Sequence, residues 1–323
     1  MAVGLDLLVQ FFPNFASIVL AATGLAIIFG IMGIINLAHG EFIMVGAFST
    51  SLAYNGGIPF LPIDALPGLG RLIGAMLFAA LVTALFGLLV ERTIISGAIP
   101  NWIAERTVGH PVITPLYDRL LDSMVATWGL SLIMVQTFRN VFGNSLSGVP
   151  IPFGKLSYGN SSIGLYQVLL AGVAALVLVG LYLLFVRTDY GMRARATIQN
   201  ESMAQSLGVN TERTYMATFA LGSGLAGLTG ALYAPLLSIE PGLGAAFLVD
   251  AFVAVVVGGS SVVVGTLLSG GLLGIVDTLF SNVYGTFAGR IALLIVAIVL
   301  IRFIPEGLSS LVERLRERRL EVD

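Results

Sequence analysis

The chain has 323 residues, of which 57% are hydrophobic and 11% are charged, and its formal net charge at pH 7 is −2. Soluble domains carry about 25% charged residues, whereas here the apolar residues form unbroken runs that can cross the ~30 Å hydrocarbon core of a bilayer as helices. The composition therefore predicts an integral membrane protein and excludes a soluble enzyme, a nucleic-acid-binding protein and a disordered scaffold.

Eight apolar runs follow one another along the chain. They lie at about 14–35, 41–54, 69–90, 123–142, 163–186, 215–237, 245–281 and 286–304. The N-terminus lacks the positive charge that opens a cleavable signal peptide, so we expect the first run to be a permanent span. The second run is short, and glycines interrupt the seventh, which is expected to form two short spans or a re-entrant pair. The predicted fold class is all-α, with about eight transmembrane helices that include broken or re-entrant segments.

Residues with catalytic or metal-binding chemistry are scarce. The chain has no cysteine and only two histidines, His39 and His110, which excludes disulfides and thiolate sites and argues against a metal site of several histidines. The single lysine, Lys155, is followed by Leu156, and position 149 is Val149, so the pattern of a phosphate-binding loop is broken. We therefore expect no enzyme activity, no cofactor and no metal, and ATP that drives the protein would be hydrolysed by another subunit.

The placement of arginines predicts the orientation. They cluster in the loop 187–214 and in the C-terminal tail, and an excess of Arg and Lys marks cytoplasmic segments. The loop 92–122 is expected on the same side, whereas 144–162, rich in Gly, Ser, Asn and Pro, is expected outside, which also places the N-terminus outside. We predict one transmembrane domain over residues 1–310 and a charged cytoplasmic tail over 311–323.

The first informative segment joins the first two apolar runs. Asn36, His39 and Glu41 lie between runs that leave no room for a proper loop. Ionisable groups at membrane depth are costly and normally face the bundle interior or a water-filled cavity, and Gly40 suits a break in the helix. Two interpretations stay open: these groups line a substrate pathway, or they cap two helix ends at the membrane surface.

The second informative segment is a cytoplasmic elbow, residues 188–213. From Met192 to Leu207 the residues favour one short amphipathic helix. Gly208 is expected to cap its C-terminus, and Asn210 to start the next helix. A rigid elbow of this kind suits docking into a groove on a partner. The alternative is a plain solvated connector, which the arginines by themselves favour.

These segments resemble the permease subunits of ABC importers for branched-chain amino acids and for urea or short amides. Residues 24–47 are similar to that family's N-terminal signature. The elbow is similar to its cytoplasmic coupling loop, with Glu201, Ala204 and Gly208 on the Glu…Ala…Gly pattern. The segments 219–230 and 250–259 also match. The details of 24–47, 126–132 and 198–200 look closer to the urea and amide branch. The run 258–265 and the longer loop 93–117 depart from the family pattern.

The resemblance implies the fold of sugar and vitamin importer permeases and a multi-pass location in the plasma membrane of a prokaryote. It also implies three kinds of protein partner: a second, related permease subunit, two cytoplasmic ATPase subunits and an extracytoplasmic solute-binding protein. The permease would contact membrane lipid and would not bind nucleic acid. The chain itself would be a transport subunit for a branched-chain amino acid, urea or a short amide.

Two sets of residues are candidates for function. The candidate pathway residues are Asn36, His39, Gly40, Glu41, Asp250, Gly258 and Gly259, and the candidate ATPase-coupling residues are Gly191, Arg193, Arg195, Glu201, Ala204 and Gly208. Asp250 could equally cap a helix at the outer surface. The alternative function is a stand-alone secondary transporter or channel, which would need charged coupling groups in mid-span. Apart from Glu41, Arg139, Asp250 and Asp277, the spans offer few.

Overall fold

The structure is a computed structural model, and it describes residues 2–56, 63, 66–107, 110–111, 113–117, 119–158, 161–259 and 261–312. Within these ranges the helices are α1 (Ala2–Met32), α2 (His39–Ser51), α3 (Gly68–Val90), α4 (Ala98–Thr107), α5 (Leu120–Phe142), α6 (Leu165–Arg187), α7 (Asp189–Gln199), α8 (Glu201–Ser206), α9 (Thr211–Tyr233), α10 (Leu243–Gly258), α11 (Val262–Tyr284) and α12 (Thr286–Phe303). π-Helical turns, Leu52–Gly56 and Glu91–Ile95, extend α2 and α3. The predicted charged tail lies outside the described residues from position 313 onward.

Seven of the described helices are long and apolar enough to cross a membrane, namely α1, α3, α5, α6, α9, α11 and α12. The apolar helix α10 is shorter, with 16 residues. The predicted helical membrane fold is confirmed, and the seventh apolar run consists of two helices, α10 and α11. Between α5 and α6, strand β1 (Lys155–Tyr158) pairs antiparallel with β2 (Ser161–Gly164).

The chain folds into two compact units. One unit comprises Ile27–Pro150 and Leu184–Leu248, and the other comprises Met1–Ala26, Ile151–Leu183 and Val249–Asp323. We call them the α2 unit and the α12 unit.

The α2 unit is built around α2, all 13 residues of which are buried. At about 1.5 Å per residue α2 itself is about 20 Å long, shorter than the ~30 Å hydrocarbon core, and the π-helical turn Leu52–Gly56 extends it by five residues. It packs against α3 and α9, and a Cβ atom at Gly46 would overlap the backbone of Gly227, as one at Gly230 would overlap the carbonyl of Ile43. Small residues of this kind let helix backbones approach closely where no water is present to drive burial.

The α12 unit has α11 and α12 as a helical hairpin, which turns at Gly285. Helix α1 packs on α11, where a Cβ at Gly274 would lie 3.3 Å from the Cα of Phe15. Asn14 on α1 donates a hydrogen bond of 3.0 Å to the hydroxyl of Thr278 on α11. These contacts hold together α1, α11 and α12, which supply most of the lining of the cavity described below.

Candidate functional site

The break between α1 and α2 begins at Gly33. Gly33 adopts a φ of 61°, the left-handed conformation that favours glycine, and its N–H donates to the carbonyl of Phe29 at 3.1 Å. Residues 33–38 then run without helical structure. The predicted break at Gly40 is therefore wrong, since Gly40 lies inside the first turn of α2.

Hydroxyl groups of α5 hold the non-helical residues 33–38. The N–H of Ile35 donates to the hydroxyl of Ser123 at 3.2 Å, and the N–H of Leu37 donates to that of Thr127 at 3.0 Å. Thr127 also donates to the carbonyl of Ile35 at 3.2 Å. Irregular backbone at membrane depth is tolerated only where its polar groups find partners, and α5 supplies them here.

Gly40 serves a helix crossing. A Cβ atom at this position would lie 2.5 Å from the carbonyl oxygen of Gly244 in α10, and a Cβ at Gly244 would overlap the carbonyl of Gly40. Both neighbours are backbone atoms, which no rotamer change can move away. The two glycines therefore set how closely α2 and the first turn of α10 approach.

Asn36, His39 and Glu41 meet at this break, and all three are buried, with exposed fractions of 1%, 0% and 6%. The Asn36 side-chain oxygen accepts from the N–H of Ala38 at 3.1 Å, and Ser131 of α5 hydrogen-bonds to the carboxylate of Glu41. The structure thus brings the three predicted residues together in the interior of the α2 unit. They line neither of the two cavities described below.

Asp250, Gly258 and Gly259 belong to α10 and its C-terminal end. Asp250 lies inside the helix rather than at its end and forms an ion pair of 3.0 Å with Arg290 of α12, so the interpretation as a helix cap is wrong. A Cβ at Gly258 would lie 2.8 Å from the carbonyl of Gly265, and one at Gly259 would overlap the carbonyl of Glu306. These two glycines are thus packed against backbone.

A cavity of ≈ 170 Å³ adjoins the ion pair. Its lining residues include Asn14, Ile18, Asp250, Asp277, Arg290 and Leu293. Asp250 and Asp277 are recognisable in the sequence as charged groups within apolar runs, whereas Asn14 and Arg290 were not predicted as site residues. An arginine near the start of the last apolar run was the signal that could have found the site, because charged groups within spans are rare and mark functional positions.

The elbow is two helices rather than the single predicted one. Helix α7 ends at Gln199, and Asn200 starts α8 because its side-chain oxygen accepts from the N–H of Met203 at 2.9 Å. The two predicted helix ends, at Gly208 and Asn210, are confirmed. Gly208 follows α8 with a φ of 87°, and the side chain of Asn210 caps α9 by accepting from the N–H of Arg213 at 2.9 Å.

Side chains of the elbow anchor it to the adjoining spans. Ala204 is 2% exposed, a Cβ at Gly191 would overlap the carbonyl of Phe185, and Arg195 donates to that same carbonyl. Tyr190 shares a hydrogen bond of 2.8 Å with the hydroxyl of Thr218, and burial raises the pKa of Tyr190, so its hydroxyl stays protonated. A connector held in this way moves with the helices that it joins.

Large apolar side chains of the elbow point outward. Ile198, Met203 and Leu207 are exposed to 51%, 58% and 77%, whereas the smaller Ala194 and Ala204 are buried. A hollow of ≈ 530 Å³ beside Leu207 is lined by Tyr190, Arg193, Leu207, Gly208, Val209, Asn210, Arg213, Thr214 and Ala217. An exposed apolar surface with arginines beside it is typical of an interaction site.

Several side chains of the loop 92–122 make specific contacts. Tyr117 donates to the carboxylate of Glu91, which is fully buried, and burial together with this neighbour raises the pKa of Tyr117. Asn101 of α4 exchanges two hydrogen bonds with the backbone of Ile113, at 2.6 and 2.8 Å. Arg106 stacks over the ring of Trp102, 4.0 Å from its centroid.

Comparison with known proteins identifies the kind of protein. A family profile described as the permease component of the branched-chain amino acid transport system matches residues 7–304. The chain belongs to this family. It is therefore the permease component of an ATP-binding cassette transporter, a multi-pass plasma-membrane protein and a transport subunit rather than an enzyme.

Several curated relatives are similar over almost the whole permease. The high-affinity branched-chain amino acid transport system permease protein BraD of Pseudomonas aeruginosa is 27% identical over 90% of both chains, and LivH of Escherichia coli is 28% identical over the same shares. The probable branched-chain amino acid transport permease protein LivH of Methanocaldococcus jannaschii is 25% identical over 91% of this chain and 88% of its own. No solved structure matches. These relatives do not support the predicted preference for the urea branch.

Proposed function

We propose that this permease forms, with a second and related permease subunit, the translocation pathway of an importer for branched-chain amino acids. An extracytoplasmic binding protein would deliver the solute, and two cytoplasmic ATPase subunits would supply the energy. In this proposal residues 1–310 act as one permease domain. The similarity to permeases named for branched-chain amino acids supports the solute class, and urea or a short amide is the alternative solute.

The observation that carries the proposal is the geometry of the elbow. Its apolar side chains are exposed in a segment whose arginines favour a cytoplasmic location, where an ATPase subunit would bind. Gly191, Ala204 and Gly208 give the elbow its shape, through close packing at the first two and the left-handed turn at the third. A short rigid element of this kind transmits a displacement that a floppy loop would absorb.

Charged groups of the elbow complete the proposed coupling surface. Arg193 lines the hollow, and Arg195 fixes the elbow to the end of α6 through the carbonyl of Phe185. Glu201 accepts a hydrogen bond of 3.1 Å from Gln205 one turn later. We assign Arg193 to contact with the ATPase, and Arg195 and Glu201 to the rigidity of the elbow.

The proposed gate of the pathway is the break between α1 and α2. Asn36, His39 and Glu41 are polar groups held in the interior of the α2 unit, and Gly40 sets the α2–α10 crossing beside them. Buried polar groups at membrane depth are normally retained for a function. Asp250, Gly258 and Gly259 are proposed as pathway residues within the α12 unit.

Uptake by the reconstituted transporter tests the solute and the energy source. Liposomes that contain the permeases and ATPases receive the loaded binding protein, and uptake of radiolabelled leucine is compared with that of radiolabelled urea. We expect ATP-dependent uptake of leucine and none of urea. Uptake of urea alone would overturn the solute class, and uptake that persists without ATP would indicate the stand-alone transporter.

A histidine replacement tests the gate. We expect His39→Ala to lower leucine uptake while the ATPase subunits stay bound in a pull-down, because His39 lies far from the elbow in sequence and is fully buried in the break. His110→Ala is the matched control, since His110 is exposed in the loop 92–122. Normal uptake by His39→Ala would limit the break to a structural role.

A further inference from the structure

The cavity beside α12 combines both charges with an apolar wall. Asp250 and Arg290 form an ion pair of 3.0 Å, and Asp277, which also lines the cavity, accepts from the hydroxyl of Ser281 at 3.1 Å. Ile18 and Leu293, exposed to 4% and 3%, contribute the apolar part of the lining. The three charged groups are two carboxylates and one guanidinium, so the cavity offers partners to a ligand that carries both a cationic and an anionic group.

We propose that this cavity binds the α-amino acid solute on its way through the permease. The carboxylates of Asp250 and Asp277 would receive the α-ammonium group, and the guanidinium of Arg290 would receive the α-carboxylate. The branched aliphatic side chain would pack on Ile18 and Leu293. This inference rests on the proposed function and narrows it to solutes that carry both head groups.

The chemistry of the lining selects a zwitterion over other small solutes. Urea is neutral and has no charge that could pair with either carboxylate or with the guanidinium of Arg290. An inorganic anion would meet two carboxylates, and a metal cation would meet the guanidinium of Arg290. An amino acid offers one charge of each sign, and the five N–H donors of an arginine allow it to serve Asp250 and a ligand carboxylate together.

The ion pair also suits a passing solute. A transported molecule must bind well enough to enter and weakly enough to leave. Because Arg290 is paired with Asp250, the charged groups stabilise each other when the solute is absent, and the solute competes with an existing interaction. With the tail in the cytoplasm, the first turn of α12 and therefore the cavity lie toward the extracytoplasmic side.

Direct binding to the purified transporter, without the binding protein, tests the site. Binding of tritiated leucine is measured by scintillation proximity, with isocaproate, which lacks the amino group, and isoamylamine, which lacks the carboxylate, as competitors. For the wild type we expect each competitor to bind at least about tenfold more weakly than leucine, as loss of a charge-assisted hydrogen bond predicts. We expect Arg290→Gln and Asp277→Asn to weaken leucine binding by a similar factor.

The pattern of competition separates recognition from a folding defect. Arg290→Gln removes the partner of the carboxylate, so it should no longer prefer leucine to isoamylamine but should still prefer leucine to isocaproate. Asp277→Asn removes a partner of the ammonium group, so it should no longer prefer leucine to isocaproate but should still prefer leucine to isoamylamine. Leu293→Phe should lower the affinity for leucine more than that for alanine, because it fills the apolar part of the cavity. Asp122→Asn is the matched control, since Asp122 forms an ion pair of 2.6 Å with Arg119 outside the cavity, and it should bind leucine as the wild type does.

The outcomes keep this inference separate from the proposed function. Wild-type leucine uptake together with unchanged leucine binding in Arg290→Gln and Asp277→Asn would overturn the cavity site alone. Equal competition by leucine, isocaproate and isoamylamine, or no leucine binding by the wild type at millimolar concentration, would also overturn it. Absence of ATP-dependent leucine uptake by the complete wild-type transporter would instead overturn the proposed function.

Discussion

The crossing of α2 and α10 at Gly40 gives the sharpest test of the fold. In Gly40→Ala the new Cβ would lie 2.5 Å from the carbonyl oxygen and 2.7 Å from the carbonyl carbon of Gly244. Ordinary contact needs about 3.5–4.0 Å, so the two helices must separate by about 1 Å. Because both partners are backbone, no side chain can rotate to make room.

The expected loss of stability follows from this overlap. Overpacking of a well-packed interior costs about 1–3 kcal/mol, which we expect as a fall in the free energy of unfolding and a melting temperature lower by about 2–4 °C for each kcal/mol. Gly244→Ala should have a similar effect, because its Cβ would overlap the carbonyl of Gly40. The double variant should cost less than the two single variants together, since one displacement of the helices relieves both overlaps.

The assay is thermal unfolding of the purified permease in detergent, followed by the loss of the folded peak in size-exclusion chromatography. Gly172→Ala and Gly180→Ala in α6 are the matched controls, because a Cβ at either position meets nothing within 4 Å. Each should change the stability by about 1 kcal/mol or less. If Gly40→Ala unfolds at the temperature of these controls, the close crossing is wrong.

Three further predictions follow from other contacts. Thr127→Val should lower the free energy of unfolding by about 1–3 kcal/mol, because it leaves partly buried backbone groups of the α1–α2 break unpaired. Thr127→Ser keeps the hydroxyl and should therefore lose much less; equal melting temperatures of the two variants would contradict this. Helix α4 should lie at the bilayer interface. In a Trp128→Phe background, Trp102 is the tryptophan that remains, and its fluorescence should be quenched most by lipids brominated near the head group; quenching only by an aqueous quencher would place α4 in water. Leu207→Asp should weaken ATPase binding by about tenfold, because the exposed Leu207 side chain would be buried in the proposed complex. Ser206→Asp adds the same charge and is the control; equal binding by both variants would remove Leu207 from the interface.

Local patterns predicted the long spans and several helix ends. Unbroken apolar runs locate the spans, because length and hydropathy are properties of the segment itself. Gly208 and Asn210 were correctly assigned as the end of one helix and the start of the next for the same reason, since capping depends on neighbouring backbone groups. Asn200 carries the same local signal, because asparagine favours the first position of a helix. The sequence therefore also contained the information that the elbow is divided into two helices, although a single helix was predicted.

Long-range contacts explain what the sequence could not show. Gly40 suggested a helix break because it is a glycine between two apolar runs. Its neighbour in the folded chain is Gly244, about 200 residues later, and this contact shows that Gly40 instead allows α2 and α10 to cross closely. The break itself depends on Ser123 and Thr127, which look like ordinary residues of an apolar run. In the same way, Asn14 and Arg290 lie in different runs, and only folding places them in one cavity.

The complete burial of α2 has a consequence for how the protein is made. The helix leaves the ribosome early, yet α9, which covers part of it, ends about 180 residues later. At about 5–20 residues per second, the nascent segment waits on the order of 10–40 s for that neighbour. During this interval a short helix with a histidine and a glutamate must be sheltered by the insertion machinery or by lipid head groups. Biogenesis of this permease should therefore depend on a membrane chaperone more strongly than its long, apolar helices alone would require.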